Sequence, residues 1–205
     1  MVKSIAIVGG SSDIAKSTIS SMSADNYKFH VLVRDDSHTD ELSASGVSVV
    51  LGDATSEEDI KNFISGVKES GEIHAILHCV GSFAVRPPHA MNKEAFETVI
   101  STNLTSAFLT LSIAGKAMLS QGHGRMVFMS SVAGSLGLVN HEAISAAKGG
   151  IESMVRSAAA TYANRGLRIN AVAPGLTDTK LASPIMSNET ASPVSYTHLT
   201  LPTSG

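Results

Sequence analysis

The chain holds a single cysteine, Cys79, among 205 residues, and charged residues make up only 16% of it. One thiol cannot close an internal disulfide, so a reducing compartment is expected, and a cytoplasmic protein fits that expectation. The charged fraction lies well below the roughly 25% usual in soluble domains. Hydrophobic residues make up 43%, enough for a true core and too many for a disordered chain. Cationic excess is absent as well. Lys+Arg 15 against Asp+Glu 18 leaves a formal charge of −3 and no basic face for a phosphate backbone, so nucleic acid is not an expected partner. The start, Met1-Val2-Lys3-Ser4-Ile5, carries no apolar stretch of the secretory kind. No uninterrupted apolar run nears the roughly 18 residues that cross a bilayer, so no membrane partner is expected either.

What is present alternates. Short apolar, β-branched runs occur at Ile5–Val8, Phe29–Val33, Val47–Leu51, Ile73–Cys79, Arg125–Met129 and Leu167–Val172. Continuous runs of this length suit strands buried on both faces. Helical stripes lie among them: Ile14, Thr18 and Met22; Ile60, Phe63, Ile64 and Val67; Leu104, Ala107, Phe108, Leu111 and Met118; Ile151, Met154, Val155, Ala158, Ala159 and Tyr162. Strand–helix alternation predicts an α/β fold with a parallel sheet. No internal repeat and no domain boundary precedes about residue 180, and from Ser183 both periodicities stop.

The first strand runs into Gly9-Gly10-Ser11-Ser12-Asp13-Ile14-Ala15 and then a helix. A glycine-rich turn feeding a helix N-terminus is an anion site, because free backbone N–H groups and the helix dipole both face the ligand. Gly9 permits the tight turn, and Ser11 and Ser12 can add hydroxyl donors.

This turn resembles the Thr-Gly-x-x-x-Gly-x-Gly turn of the short-chain dehydrogenase/reductase family. Gly9 holds the first glycine, while Val8, Asp13 and Ala15 stand at the threonine and the two later glycines. Further matches follow in family order from about residue 3 to 182. The acidic residue after the third strand appears as Asp53, followed by Ala54, and the Asn-Asn-Ala-Gly after the fourth strand as His78-Cys79-Val80-Gly81. The helix asparagine appears as Asn103, the serine after the fifth strand as Ser131, the helix lysine as Lys148. The Pro-Gly after the sixth strand appears as Pro174-Gly175, with Thr177 and Thr179 behind it. The resemblance implies a Rossmann-like, doubly wound parallel sheet in three layers. It also implies a nicotinamide cofactor held by Gly9, Ser11, Ser12, Asp13, Ile14, Arg34, Asp53, Ala54, Val80, Gly81, Lys148, Pro174, Gly175, Thr177 and Thr179. A small carbonyl or alcohol substrate and a homo-oligomer, a dimer or tetramer built through the helices at 103–119 and 141–163, are implied too.

Aligned with the family, Val33 stands where members that prefer NAD keep an aspartate, and Arg34 follows it. A guanidinium there can pair with a 2′-phosphate, so NADP(H) is expected over NAD(H). Asp35 or Asp36 serves the ribose instead if the register shifts by a residue.

The family reduces carbonyls with a serine that polarises the oxygen, a tyrosine acid, a lysine that lowers the tyrosine's pKa and holds the ribose, and an asparagine that completes a water relay. Ser131, Lys148 and Asn103 match these positions. The tyrosine position, four residues before Lys148 and thirteen after Ser131, is Ile144, which cannot transfer a proton. His141, three residues earlier, is the candidate substitute acid, because imidazole suits acid/base work. Ser145 is a poor acid, and Glu142 reads as a first-turn charge favoured by the helix dipole. His78 reads as a strand-end residue and Cys79 as a buried small hydrophobe. Two readings stay open: an oxidoreductase, and a cofactor-binding relative with little or no turnover.

The segment Val194-Ser195-Tyr196-Thr197-His198-Leu199-Thr200-Leu201-Pro202-Thr203 is similar to the translated adapter of transposase-based DNA sequencing libraries. On that expectation residues 194–205 are not native, the single domain spans 1–193, and the family's closing strand is missing.

Overall fold

The computed structural model describes residues 3–22 and 26–183; the expected adapter segment, like all of 184–205, lies outside the described residues. In chain order the elements are β1 (Lys3–Val8), α1 (Asp13–Met22), β2 (Tyr27–Val33), α2 (Thr39–Ala44), β3 (Ser48–Leu51), α3 (Glu57–Glu69) and β4 (Ile73–His78). There follow α4 (Lys93–Ile100), a π-helical turn (Ser101–Thr105), α5 (Ser106–Gln121), β5 (Gly124–Met129), α6 (Glu142–Tyr162) and β6 (Leu167–Val172). The six strands form one sheet in the order β3-β2-β1-β4-β5-β6, every pair parallel. The expected α/β architecture is therefore present.

Side chains on a strand alternate between faces, and β1 shows what that does. Ile5 and Ile7 pack with Val31, Val33 and, from α1 and α2, Ala15, Ile19 and Leu42. Ala6 and Val8 join the opposite layer with Ile60 and Phe63 of α3, Met118 of α5, and Ile151 and Val155 of α6. Two cores sandwich the sheet, which is why β1 is apolar on both faces from Ile5 to Val8.

The third run departs from that expectation. Among the described residues β3 pairs only with β2 and forms an edge, leaving Val50 at 38% and Leu51 at 58% exposure. An apolar run does not reveal whether a strand sits at the centre or at the rim. The short helices α2 and α4 also carry too few residues for a visible stripe. With the π turn, α4 and α5 form one continuous helix of 29 residues, Lys93–Gln121, long and apolar enough by composition to cross a membrane. Its Ala107, Leu111, Ala114 and Met118 pack instead into the core over the sheet.

The order of strands places the site. Chain direction across the sheet reverses between β1 and β4, and ligands of open α/β sheets bind in the crevice this reversal opens at the carboxyl ends of the strands. The Gly9 turn leaves β1 there, and Cys79–Gly81 leaves β4 beside it.

Candidate active site

The turn after β1 is built for close approach. Gly9 has φ +88° and a Cβ on it would lie 2.9 Å from the backbone of Cys79 and Val80. Gly9 and Gly10 N–H both donate to Leu32 O at 3.0 Å, tying the turn to β2. Ser12 Oγ accepts from Ala15 N–H at 3.1 Å and so caps α1. The N–H groups of Asp13 and Ile14, the first two of α1, precede any helical carbonyl and are donors for an anion. Asp13 itself turns its carboxylate toward the segment after β6, accepting from Lys180 N–H at 2.7 Å.

A cavity of about 850 Å³ opens from this turn. It is lined by Gly9, Ser11, Ser12, Asp13 and Ile14, by Arg34, Asp53 and Ala54, by Val80 and Gly81, and by Pro174, Gly175, Thr177 and Thr179. Every residue expected to hold a cofactor therefore faces one space. Asp53 Oδ1 accepts from Thr55 N–H at 2.7 Å and Thr55 Oγ1 at 2.8 Å, leaving Oδ2 free of both bonds.

The end of β2 separates the two residues singled out there. Val33 is 1% exposed and packs with Val31 in the α1 core, whereas Leu32 and Arg34 line the cavity. Strand alternation puts Arg34, not Val33, on the cavity wall at this strand end. Asp35 also lines the cavity, but its carboxylate accepts from both Ser37 N–H and Ser37 Oγ, and those bonds hold its pKa below the usual carboxylate range. The Arg34 guanidinium has no hydrogen bond or ion pair among the described residues.

At the far end the cavity meets α6 and the loop after β5. Ser131, His141, Ile144 and Lys148 all line it. Ser131 Oγ accepts from Ala133 N–H at 3.2 Å. Lys148 Nζ donates to Met129 O at 2.8 Å, and burial pulls its pKa down to about 8, with Cys79 acting weakly in the other direction. Ile144, 5% exposed, packs with Val99, Ala133 and Ala147, one helical turn before Lys148. His141 begins α6; its Nδ1 donates to Val139 O at 2.7 Å, so Nε2 is the nitrogen left to exchange a proton.

Asn103 stands apart from this group. It is fully buried in the π turn, and its amide is taken up by Ser82 and by Val99 O, at 2.9 to 3.2 Å. A Cβ on Gly81 would lie 3.3 Å from its Oδ1 and 3.5 Å from Lys148 Nζ, so Asn103 backs the cavity wall rather than forming it. His78 is fully buried. Ser106 Oγ gives its proton to Thr102 O at 2.6 Å, so His78 Nε2 must donate to Ser106 at 3.0 Å. Burial, with Lys148 nearby, drives the His78 pKa to about 3, which keeps the ring neutral. Burial raises the Cys79 thiol to about 11. Both are structural groups.

Sequence reasoning missed the apolar lining of the cavity, where Phe83, Val132, Leu136, Leu138, Leu176 and Leu181 come from the three segments after β4, β5 and β6. No local period announces loop residues. It also missed Glu152, although that residue lies four positions after Lys148 on the same helical face.

A sequence model of the family described as Enoyl-(Acyl carrier protein) reductase matches residues 9–202, a span that includes most of the stretch similar to an adapter. The 3-oxoacyl-[acyl-carrier-protein] reductase MabA of Mycobacterium tuberculosis is 31% identical over 180 residues, covering 87% of this chain and 71% of that protein. The crystal structure of levodione reductase superposes with a TM-score of 0.88 at 24% identity, over 97% of this chain and 82% of its own, a likeness of fold. A variant of actinorhodin polyketide ketoreductase with NADPH superposes with a TM-score of 0.83 at 25% identity, over 89% of this chain and 74% of its own.

Proposed function

The chain belongs to the short-chain dehydrogenase/reductase family, and from that premise we propose that it is an NADP(H)-dependent oxidoreductase interconverting a carbonyl and a hydroxyl group on a small molecule. The observation that carries this reading is the single cavity joining the glycine turn at Gly9 to Ser131 and Lys148. The glycine cradle and the N–H donors of α1 fit a pyrophosphate, and the Arg34 side chain at the cavity wall fits a 2′-phosphate. A nicotinamide cofactor bound there supplies or accepts the hydride. The relative named a 3-oxoacyl-[acyl-carrier-protein] reductase supports a carbonyl substrate.

This chain's own residues do the rest. Ser131 Oγ receives a backbone N–H, so its own proton is free to donate to a carbonyl oxygen in the cavity. Lys148 gives one proton to Met129 O and keeps its remaining donors for the ribose and for the charge growing on the substrate. Thr177 and Thr179 carry hydroxyls on the cavity wall after β6, where the cofactor's amide and phosphates would be met. Proton delivery is the weak step, because Ile144 presents only hydrocarbon one turn before Lys148. His141 Nε2 takes that duty.

A second reading rests on Ile144 alone: a family member that binds the cofactor as a module and turns nothing over. A second copy of the chain would meet α5 and α6, where Phe108 is 54% exposed.

Titrating the protein with NADPH and NADH, while following NADPH oxidation against a panel of ketones and aldehydes, separates the readings. Binding with slow turnover is expected. Binding without turnover selects the second reading, and absence of binding overturns both.

A further inference from the structure

α6 carries Ile144, Lys148 and Glu152 at intervals of four, so the three side chains lie on one face of the helix. That face meets the loop after β5. Lys148 Nζ holds Met129 O at 2.8 Å, at the loop's start. Glu152 holds the loop at two further points. Its Oε1 accepts from Ser130 Oγ at 2.9 Å, and its Oε2 accepts from Ser135 Oγ at 2.8 Å. Ser130 is 5% exposed and also lies 3.0 Å from Lys148 O, so its one hydroxyl proton is shared between the helix backbone and the carboxylate. Ser131 sits between the two anchors.

Close contact seals the arrangement. A Cβ on Gly134 would lie 2.9 Å from Glu152 Oε1 and from Gly149 N, so only glycine lets the loop reach the helix. A Cβ on Gly149 would meet Gly134 O at 3.1 Å from the other side. The Glu152 side chain is 17% exposed, and the cation paired with it among the described residues, Arg156, stands at 4.0 Å. A carboxylate so far out of water needs hydrogen-bond donors, and the two serine hydroxyls supply them.

We propose that Glu152 is a positioning residue: one carboxylate, bonded through both oxygens to Ser130 and Ser135, fixes the loop between them so that the Ser131 hydroxyl points at the reacting carbonyl. Glu152 touches neither substrate nor cofactor. It acts through Ser131, and the inference rests on the oxidoreductase reading above.

Hydrogen exchange and kinetics test it together, on the full chain. In Glu152→Ala, amide exchange across 130–136 is expected to rise at least tenfold while the strands keep their protection. Turnover should fall about 10- to 100-fold in kcat, the cost of a misplaced reacting group. KM and the NADPH dissociation constant should change less than threefold. Glu152→Gln, which keeps an oxygen for one serine and the volume of the side chain, should recover most of kcat. Ser135→Ala, at an exposed position, should loosen the same segment more mildly, and it serves if Glu152→Ala does not fold. Unchanged exchange in 130–136 overturns the proposal, as does a uniform loss of protection in which Gln is no better than Ala. A parent that binds NADPH but reduces nothing sinks the oxidoreductase reading; the exchange result then still decides whether Glu152 holds the loop.

Discussion

The Asp13 carboxylate accepts a hydrogen bond from Lys180 N–H at 2.7 Å, joining two residues 167 positions apart. The bond ties the first turn of α1 to the segment after β6, across the mouth of the cavity. A negative charge at a helix N-terminus is favoured by the dipole. A pyrophosphate is favoured there for the same reason, so the carboxylate would stand beside a second negative charge and repel it.

Asp13→Asn should therefore tighten NADPH binding. The amide oxygen still accepts from Lys180, while the repulsion between carboxylate and phosphate is removed. A gain of about 5- to 50-fold is expected for charges a few ångströms apart near a surface. Fluorescence titration at two ionic strengths checks it: the gain should shrink as salt rises. Equal or weaker binding by the variant would mean that the carboxylate does not oppose the cofactor.

Arg34 should set cofactor choice. Arg34 lines the cavity and its guanidinium has no hydrogen bond among the described residues, while the neighbouring Asp35 is engaged by Ser37. Arg34→Ala is expected to cost about 1.5–3 kcal/mol in NADPH affinity, the range for a charged hydrogen bond, and to leave NADH binding nearly unchanged. Equal affinity of the parent for the two cofactors would refute the assignment.

Ile144→Tyr should raise carbonyl reduction. A phenol one turn before Lys148 would join Ser131 and an ammonium already in the cavity, and a positioned acid contributes about 10²–10⁴-fold. The added volume in the Val99–Ala133–Ala147 cluster should lower stability by about 1–3 kcal/mol. His141→Ala in the parent should remove most turnover. If the parent turns over at ordinary rates and His141→Ala leaves them intact, neither residue governs the proton.

Lys148 makes stability depend on pH. Folding lowers its pKa from 10.5 to about 8. Between those values the unfolded chain binds more protons than the folded one, so this group's contribution to stability rises as pH climbs through the window. Below the folded value the burial penalty is felt in full. Lys148→Met should then be more stable than the parent at pH 7, by up to about 3 kcal/mol, with the gap closing toward pH 10. Urea unfolding of both proteins at several pH values measures it. Cofactor binding by the parent should weaken above pH 8, as the ammonium is lost.

Local chemistry was legible in the chain itself. The runs at Ile5–Val8 and Leu167–Val172 are strands, the stripe from Ile151 to Tyr162 is a helix, and the four-residue step from Ile144 to Lys148 brings both onto the cavity wall. Each depends on neighbours within about one helical turn or a few strand residues, where periodicity and covalent geometry dictate which side chains share a face. Tertiary structure alone decided the rest. Strand order made β3 an edge and exposed Leu51. The side of the sheet on which the crevice opens turned Arg34 toward it and buried Val33. Packing put Asn103 behind Gly81, and the meeting of α6 with the loop after β5 gave Glu152 its two serines. These outcomes rest on contacts between segments far apart in the chain, and no local period encodes which segments will meet.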